Sequence, residues 1–178
     1  MQKKTMITIF LGVCIAVLNI FIMVNPCFAE IPKSELSLGG ITPQSSRSDT
    51  MRAYGAPTAK NQWDNKWYYG DSIVISFVEG TAYSVTSTAN NGWATPAGLT
   101  VGMNVSTALK LYGDPDKSVK KGDKTLYIYF VDYITHKGGH LGIVFDKSSK
   151  KISKLNIMKS TMADFQEYYP GWEKSMFE

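Results

Sequence analysis

One feature limits the folds open to this chain: a segment of 17 residues occurs twice, 58 positions apart. Residues 41–57 align without a gap to residues 99–115, with five identities, and both segments end in Tyr-Gly-x-Pro. Internal repeats indicate that one structural unit is used more than once. We therefore expect two copies of the same order of elements.

Each copy of the repeat has the pattern of a short helix. The second copy carries apolar residues at helical spacing, namely Val105, Ala108, Leu109 and Tyr112. Asn104, and Ser46 in the first copy, are residue types that cap a helix start. Gly113 and Gly55 come after the last helical residue, where we expect a left-handed backbone that favours glycine, and the prolines two residues later stop the helix. The sequence thus predicts two short helices with defined ends.

Behind each proline the pattern changes to that of β-strands. The second copy has candidate strands at residues 117–121, 126–134, 141–145 and 152–158, and the first copy at residues 58–63, 66–69, 73–77 and 83–88. The expected fold is α+β: two tandem units, each a short helix followed by an antiparallel sheet of about four strands. The predicted divisions are residues 1–29, a first unit with its linker at 30–97, a second unit at 98–159 and an aromatic tail at 160–178.

The first 29 residues have the pattern of an export signal. Lys3 and Lys4 precede an uncharged run at residues 6–24, which ends near Cys27-Phe28-Ala29. We expect cleavage after Ala29 and an exported protein, located in the periplasm, in the cell envelope or outside the cell. The alternative is an uncleaved anchor, because the apolar run is long enough to span a bilayer. Both cysteines lie in this segment, so a disulfide framework and a cysteine nucleophile are excluded for the mature chain.

The second repeat also carries a family resemblance. Its pattern is Leu99-x-x-Gly-Met-x-x-x-x-Ala108-x-x-x-Tyr112-Gly-x-Pro, followed by an aromatic strand and an Ile-x-Phe strand. This pattern resembles the unit of the outer-membrane assembly protein BamE (SmpA/OmlA), and the tandem arrangement resembles the β-lactamase inhibitor protein. The resemblance covers residues 39–158 and implies an exported, non-enzymatic, protein-binding fold in which helices pack on an antiparallel sheet. The first copy departs from the pattern at Pro43-Gln44, and no lipidated N-terminus is present to imply the assembly protein's outer-membrane anchoring.

Aromatic residues supply the candidate binding site. Along the strand at 126–134, successive side chains point to opposite faces of the sheet. We expect Leu126, Ile128 and Phe130 to lie under the helices. Tyr127, Tyr129 and Tyr133 would then form a row on the open face, with Trp67 and Tyr69 as counterparts in the first unit. Tyrosine and tryptophan are enriched where proteins bind one another, so these five residues are the predicted partner-binding site.

Enzymatic chemistry is not expected. The chain has two histidines, His136 and His140, on either side of one turn, and without a third ligand they would hold a metal only weakly. No nucleophile motif is present and no cofactor is predicted. Residues 98–159 carry 11 basic and 5 acidic residues, but none of the basic ones is arginine, which argues against nucleic acid.

The predicted function is an exported non-enzymatic module that binds another protein through its aromatic sheet face. A carbohydrate- or envelope-polymer-binding module is the first alternative, since the same aromatic residues could stack on sugars and the lysines could contact an anionic polymer. A membrane-anchored envelope-assembly factor is the second, with membrane contact only if residues 1–29 are retained.

Overall fold

A computed structural model describes residues 31–131, 138–159 and 171–177 of the protein. These residues form two α-helices, two 3₁₀ helices (Lys33–Glu35 and Trp172–Phe177) and eight strands. The α-helices and strands, in chain order, are α1 Arg47–Tyr54, β1 Ala59–Lys60, β2 Lys66–Tyr69, β3 Ile73–Val78, β4 Thr81–Ser87, α2 Val105–Tyr112, β5 Lys117–Lys121, β6 Lys124–Val131, β7 Gly139–Asp146 and β8 Ile152–Met158.

Both α-helices begin and end where the sequence predicts. The Ser46 hydroxyl accepts a hydrogen bond of 3.0 Å from the Asp49 N–H, and Asn104 Oδ1 accepts one of 2.9 Å from the Ser106 N–H. Gly55 and Gly113 end the helices with φ of 75° and 74°. Their ψ values of −162° and −157° lie outside the left-handed helical region, in a region that is essentially restricted to glycine. The predicted caps and helix boundaries are confirmed, but the left-handed helical conformation expected at the two glycines is wrong.

The predicted fold class is wrong in its central feature. The strands do not form two separate sheets of about four strands but one antiparallel sheet of eight, in the order β1-β2-β3-β4-β8-β7-β6-β5. The two halves join where β4 pairs with β8, from Ser84 opposite Met158 to Ser87 opposite Leu155. In two separate sheets, β4 and β8 would each be an edge strand with unpaired backbone N–H and C=O groups. Pairing β4 with β8 satisfies those groups.

One face of the sheet carries the main apolar core. It is a single cluster of buried residues, extending along the chain from Ile31 to Ile157. Helix α2 contributes Val105, Ala108 and Tyr112 to the buried set, whereas α1 buries Thr50 alone among its described side chains. The predicted boundary between units at residues 97 and 98 is not tested by this arrangement and stays a prediction.

The opposite face of β5–β7 is covered by the 3₁₀ helix Trp172–Phe177. Its Met176 packs in a second buried cluster with four residues of the sheet, namely Leu126, Ile128, Phe130 and Val144. A Cβ added at Gly142 would collide with the Met176 side chain, so the glycine leaves room for it. Glu173 pairs with Lys117, and the Lys121 ammonium lies 5.7 Å from the centre of the Phe177 ring. Both faces of β6 are therefore packed.

Candidate functional site

The predicted site residues of the first unit lie in or against the main core. Trp67 on β2 is buried, with 2% of its surface exposed, and its ring centre lies 4.7 Å from that of Phe77. Tyr69 is half-buried against the same core, and its hydroxyl donates a hydrogen bond of 3.1 Å to the Gly55 carbonyl. Neither residue lies on an open face of the sheet.

The face assignment for β6 was also wrong. Tyr129 is fully buried in the main core on the helix side, and Tyr127 packs edge-on against Phe145 at the border of that core. Leu126, Ile128 and Phe130, expected under the helices, instead face the C-terminal 3₁₀ helix. Alternation fixes which residues share a face, but it cannot say which face the helices cover. The remaining predicted residue, Tyr133, lies outside the described residues, as does His136.

His140 lies on β7, with no surface exposed, and its ring is 6.2 Å from that of Phe130. In the described part of the chain, His, Cys, Asp and Glu do not come together in a group of three that could hold a metal ion. Because His136 lies outside the described residues, the expectation that the two histidines form no metal site is not tested and stays a prediction.

A tryptophan that the sequence interpretation did not select is the most exposed large apolar residue described. Trp63 has 72% of its surface exposed and lies in the turn at residues 61–65, between β1 and β2. We call residues 61–65 the Trp63 turn. The exposed indole offers a large aromatic surface that a partner could cover.

Asparagine side chains fix the shape of the Trp63 turn. Asn61 Oδ1 accepts hydrogen bonds of 3.0 Å from the backbone N–H groups of both Asn65 and Lys66. The Asn61 side-chain nitrogen donates one of 2.6 Å to Asn65 Oδ1. Asp64 takes φ of 52°, a left-handed conformation that asparagine and aspartate tolerate better than most residues. The turn is held by its own side chains.

Asp64 joins the turn to the core. Its Oδ1 accepts a hydrogen bond of 2.7 Å from the Trp67 indole N–H and lies 3.1 Å from the Lys60 ammonium. The Trp67 hydrogen bond, followed by the one from Lys60, lowers the pKa of the Asp64 carboxyl below its ordinary value. The carboxylate is therefore the anchor that orients the turn over the buried Trp67 ring.

Arg47, the first residue of α1, holds the turn from the other side. Its guanidinium donates a hydrogen bond of 2.6 Å to the Asp64 carbonyl and lies 5.9 Å from the centre of the Trp67 ring and 5.4 Å from that of Phe77. Lys60 lies 4.6 Å from the centre of the Trp67 ring. The Trp67 ring thus contacts two cations, a favourable arrangement with an aromatic face. The predicted residue Trp67 has a role here, which is to support the turn from below.

Two further exposed apolar residues lie on elements that contact the Trp63 turn. Val78, 53% exposed, follows Phe77, whose N–H donates a hydrogen bond of 2.7 Å to the Asn65 carbonyl. Met51, 46% exposed, is one helical turn after Arg47 on α1. Exposed apolar side chains of this kind can bury surface against a partner.

The signal for Trp63 was present in the sequence. The candidate strand at residues 58–63 included Trp63, but the observed strand ends at Lys60. Asn61-Gln-Trp-Asp-Asn65 places this tryptophan among turn-forming residues. None of the helices within residues 31–131, 138–159 and 171–177 is long and apolar enough to cross a bilayer. Comparison of the chain with protein-family models, with curated proteins and with solved structures finds no match. The resemblance to the BamE and β-lactamase inhibitor families therefore stays a prediction.

Proposed function

We propose that this protein is an exported, non-enzymatic module that binds another protein, with Trp63 as the central anchor. The observation that carries the proposal is an indole with 72% of its surface in water, on a turn fixed by hydrogen bonds. The export part rests on the pattern of residues 1–29. The binding surface moves from the open sheet face to the Trp63 turn, because Tyr69, Tyr127, Tyr129 and Trp67 lie in or against the core.

A rigid exposed tryptophan suits the centre of an interface for two reasons. Tryptophan is among the residues that contribute most to binding free energy when a partner desolvates them. A turn that already has its bound shape loses little conformational entropy on association. The Asn61, Asp64 and Arg47 contacts supply that preorganisation.

The surroundings of Trp63 favour a protein over a sugar. The neighbouring elements expose Met51 and Val78, and an apolar centre is typical of protein interfaces. A sugar site needs polar side chains free to bond hydroxyl groups beside the ring. Asn61 and Asn65 bond each other and the turn backbone instead.

The test is affinity capture from the native compartment, followed by titration of each captured protein in purified form. Trp63→Ala should melt like the wild type, because the side chain is in water, and should weaken binding at least about 30-fold. Leu111→Ala is the matched control. Leu111 is 42% exposed on α2, so the substitution removes an exposed apolar side chain away from the Trp63 turn.

A purified partner that binds Trp63→Ala and the wild type equally would contradict the proposal. A Trp63-dependent signal on a glycan array, with no protein captured, would favour the carbohydrate alternative. Retention of residues 1–29 on the protein recovered from its native compartment, measured by intact mass, would favour the anchored alternative.

A further inference from the structure

A second site lies far along the chain from the Trp63 turn, on the helix side of β5–β7. There the sheet and the start of α2 border a cavity of about 530 Å³ that is widely open to solvent. We call it the lysine cavity, because Lys120, Lys147 and Lys150 line it together with an apolar floor. Volumes of this size are typical of small-molecule sites.

The sheet register explains why the cavity exists. Lys120 on β5 pairs with Thr125 on β6, which pairs with Phe145 on β7. Two residues further along, on the same face of the sheet, Ser118 pairs with Tyr127. The helix-facing residues of the edge strand β5 are thus a serine and a lysine. No apolar side chain of β5 fills the space between this end of the sheet and α2, so the space stays open to solvent at its rim.

The floor of the cavity is apolar and aromatic. Tyr127 and Phe145 meet edge-on, with ring centres 4.8 Å apart. Val105 and Leu109, one turn apart on α2, line the side towards the helix. A flat ring or a branched apolar group would find contact on two sides here.

The rim of the cavity is cationic. Among the residues lining it, three are lysines and none is acidic. None of the three forms an ion pair with any carboxylate in the described parts of the chain. The Lys147 ammonium donates a hydrogen bond of 2.6 Å to the Gly122 carbonyl, which fixes one of the three charges in place.

Backbone contacts hold Lys150 in position. Lys150 takes φ of 58° in the turn between β7 and β8, and its carbonyl accepts a hydrogen bond of 2.8 Å from the Val105 N–H. That bond ties the turn to the first residue of α2. The next two N–H groups of the helix, of Ser106 and Thr107, bond to Asn104. The positive potential at the rim therefore comes from the lysines and not from free N–H groups of the helix.

We infer that the lysine cavity binds a small organic anion that carries its charge on an aromatic or branched apolar body. The body would contact Tyr127 and Phe145, and the carboxylate, sulfonate or phosphate group would lie among the three lysines. Such a ligand satisfies both halves of the lining, whereas an inorganic anion would leave the apolar floor in contact with water. The site is separate from the Trp63 turn and does not depend on the proposed protein partner.

Three probes separate the contributions of charge and apolar body. 2-Naphthoate should bind the full chain, measured by isothermal titration and by NMR shifts at Val105 and Leu109 methyl groups. The neutral 2-naphthamide, of the same shape, should bind roughly tenfold more weakly, and so should inorganic phosphate. Added salt should weaken naphthoate binding, because the charges lie near the surface. Naphthamide binding equal to that of naphthoate would overturn the inference.

Variants locate the site. Lys120→Gln with Lys150→Gln should weaken naphthoate binding roughly tenfold. Lys33→Gln with Lys66→Gln changes the net charge equally outside the lining and should have little effect. Ser118→Trp should block the cavity from an exposed edge-strand position without touching the core.

Equal losses from the two lysine pairs, or full binding by Ser118→Trp, would overturn the inference. Trp63→Ala should leave naphthoate binding unchanged. The lysine cavity and the proposed protein-binding function can thus fail separately.

Discussion

The Tyr129 hydroxyl donates a hydrogen bond of 3.0 Å to the carbonyl oxygen of Gly113, the residue that ends α2. The first half of the sheet repeats this relationship, with Tyr69 donating to the carbonyl of Gly55 at 3.1 Å. The glycine carbonyl at each helix end has no partner within its own helix, and a tyrosine from the sheet supplies one. Each helix is thereby attached to the strand beneath its C-terminus.

Removing the Tyr129 hydroxyl tests this attachment. Tyr129→Phe should lower the free energy of unfolding by about 1 kcal/mol, the usual net value of one hydrogen bond. Tyr69→Phe should cost less, because Tyr69 is half-buried and water can replace the hydroxyl. Urea titration of both variants measures the difference. Equal losses would mean that the burial of the tyrosine does not decide the cost of losing its hydroxyl.

Two buried tyrosines, Tyr129 and Tyr112, make stability sensitive to alkali. Burial is the largest cause of a raised pKa at the hydroxyls of both Tyr129 and Tyr112. Because the pKa is higher in the folded state than the value of about 10 of an unfolded tyrosine, unfolding favours loss of the proton above about pH 10. The stability that each buried neutral tyrosine contributes is fully present below about pH 10 and is lost as the pH rises above it. Urea unfolding at about pH 8 and about pH 11 should show a fall that is smaller in Tyr129→Phe. An identical fall in the variant would exclude Tyr129 as a cause.

The two glycines that end the helices should resist substitution. Gly55 and Gly113 have positive φ and extended ψ, and a side chain added at either position would meet no atom within 4 Å. The cost of Gly55→Ala or Gly113→Ala is therefore backbone strain alone, of the order of 1–3 kcal/mol. Gly122→Asn is the control, because φ of 58° is a conformation that asparagine tolerates. Unchanged melting of both alanine variants would contradict this account of the repeat.

Two glycines on β7 should respond differently to the same change. A Cβ at Gly139 would collide with the backbone carbonyl of Met158, whereas one at Gly142 would collide with the flexible end of Met176. Gly139→Ala should lower stability by roughly 1–3 kcal/mol, since the sheet backbone must shift, and Gly142→Ala by less. In Gly142→Ala the C-terminal 3₁₀ helix should lose protection from proteolysis. The reverse order of stabilities would show that the Met176 contact carries more of the fold than the sheet geometry indicates.

Particular residues show how far the sequence could predict the candidate site. Strand alternation placed Tyr129 on the face opposite Leu126 and Ile128, which was predicted to be open, yet Tyr129 is buried and its hydroxyl bonds to the Gly113 carbonyl. Leu126 and Ile128 looked like the helix-covered face, but the C-terminal 3₁₀ helix covers them. No pattern within β6 distinguishes two faces that are both packed, and the covering segment is more than 40 residues away along the chain. Trp63 could have been selected, since its neighbours are turn formers.

The sequence by itself determined the short-range features: the helix caps Ser46 and Asn104, the glycines that end each helix and the places where strands follow. These depend on hydrogen bonds and backbone conformations within a few residues of each other. Only the tertiary structure decided that β4 and β8 pair into one sheet, that Tyr129 lies inside and that Trp63 lies outside. Those outcomes depend on which surfaces distant segments cover and on which strand edges remain to be paired, and no local pattern specifies either.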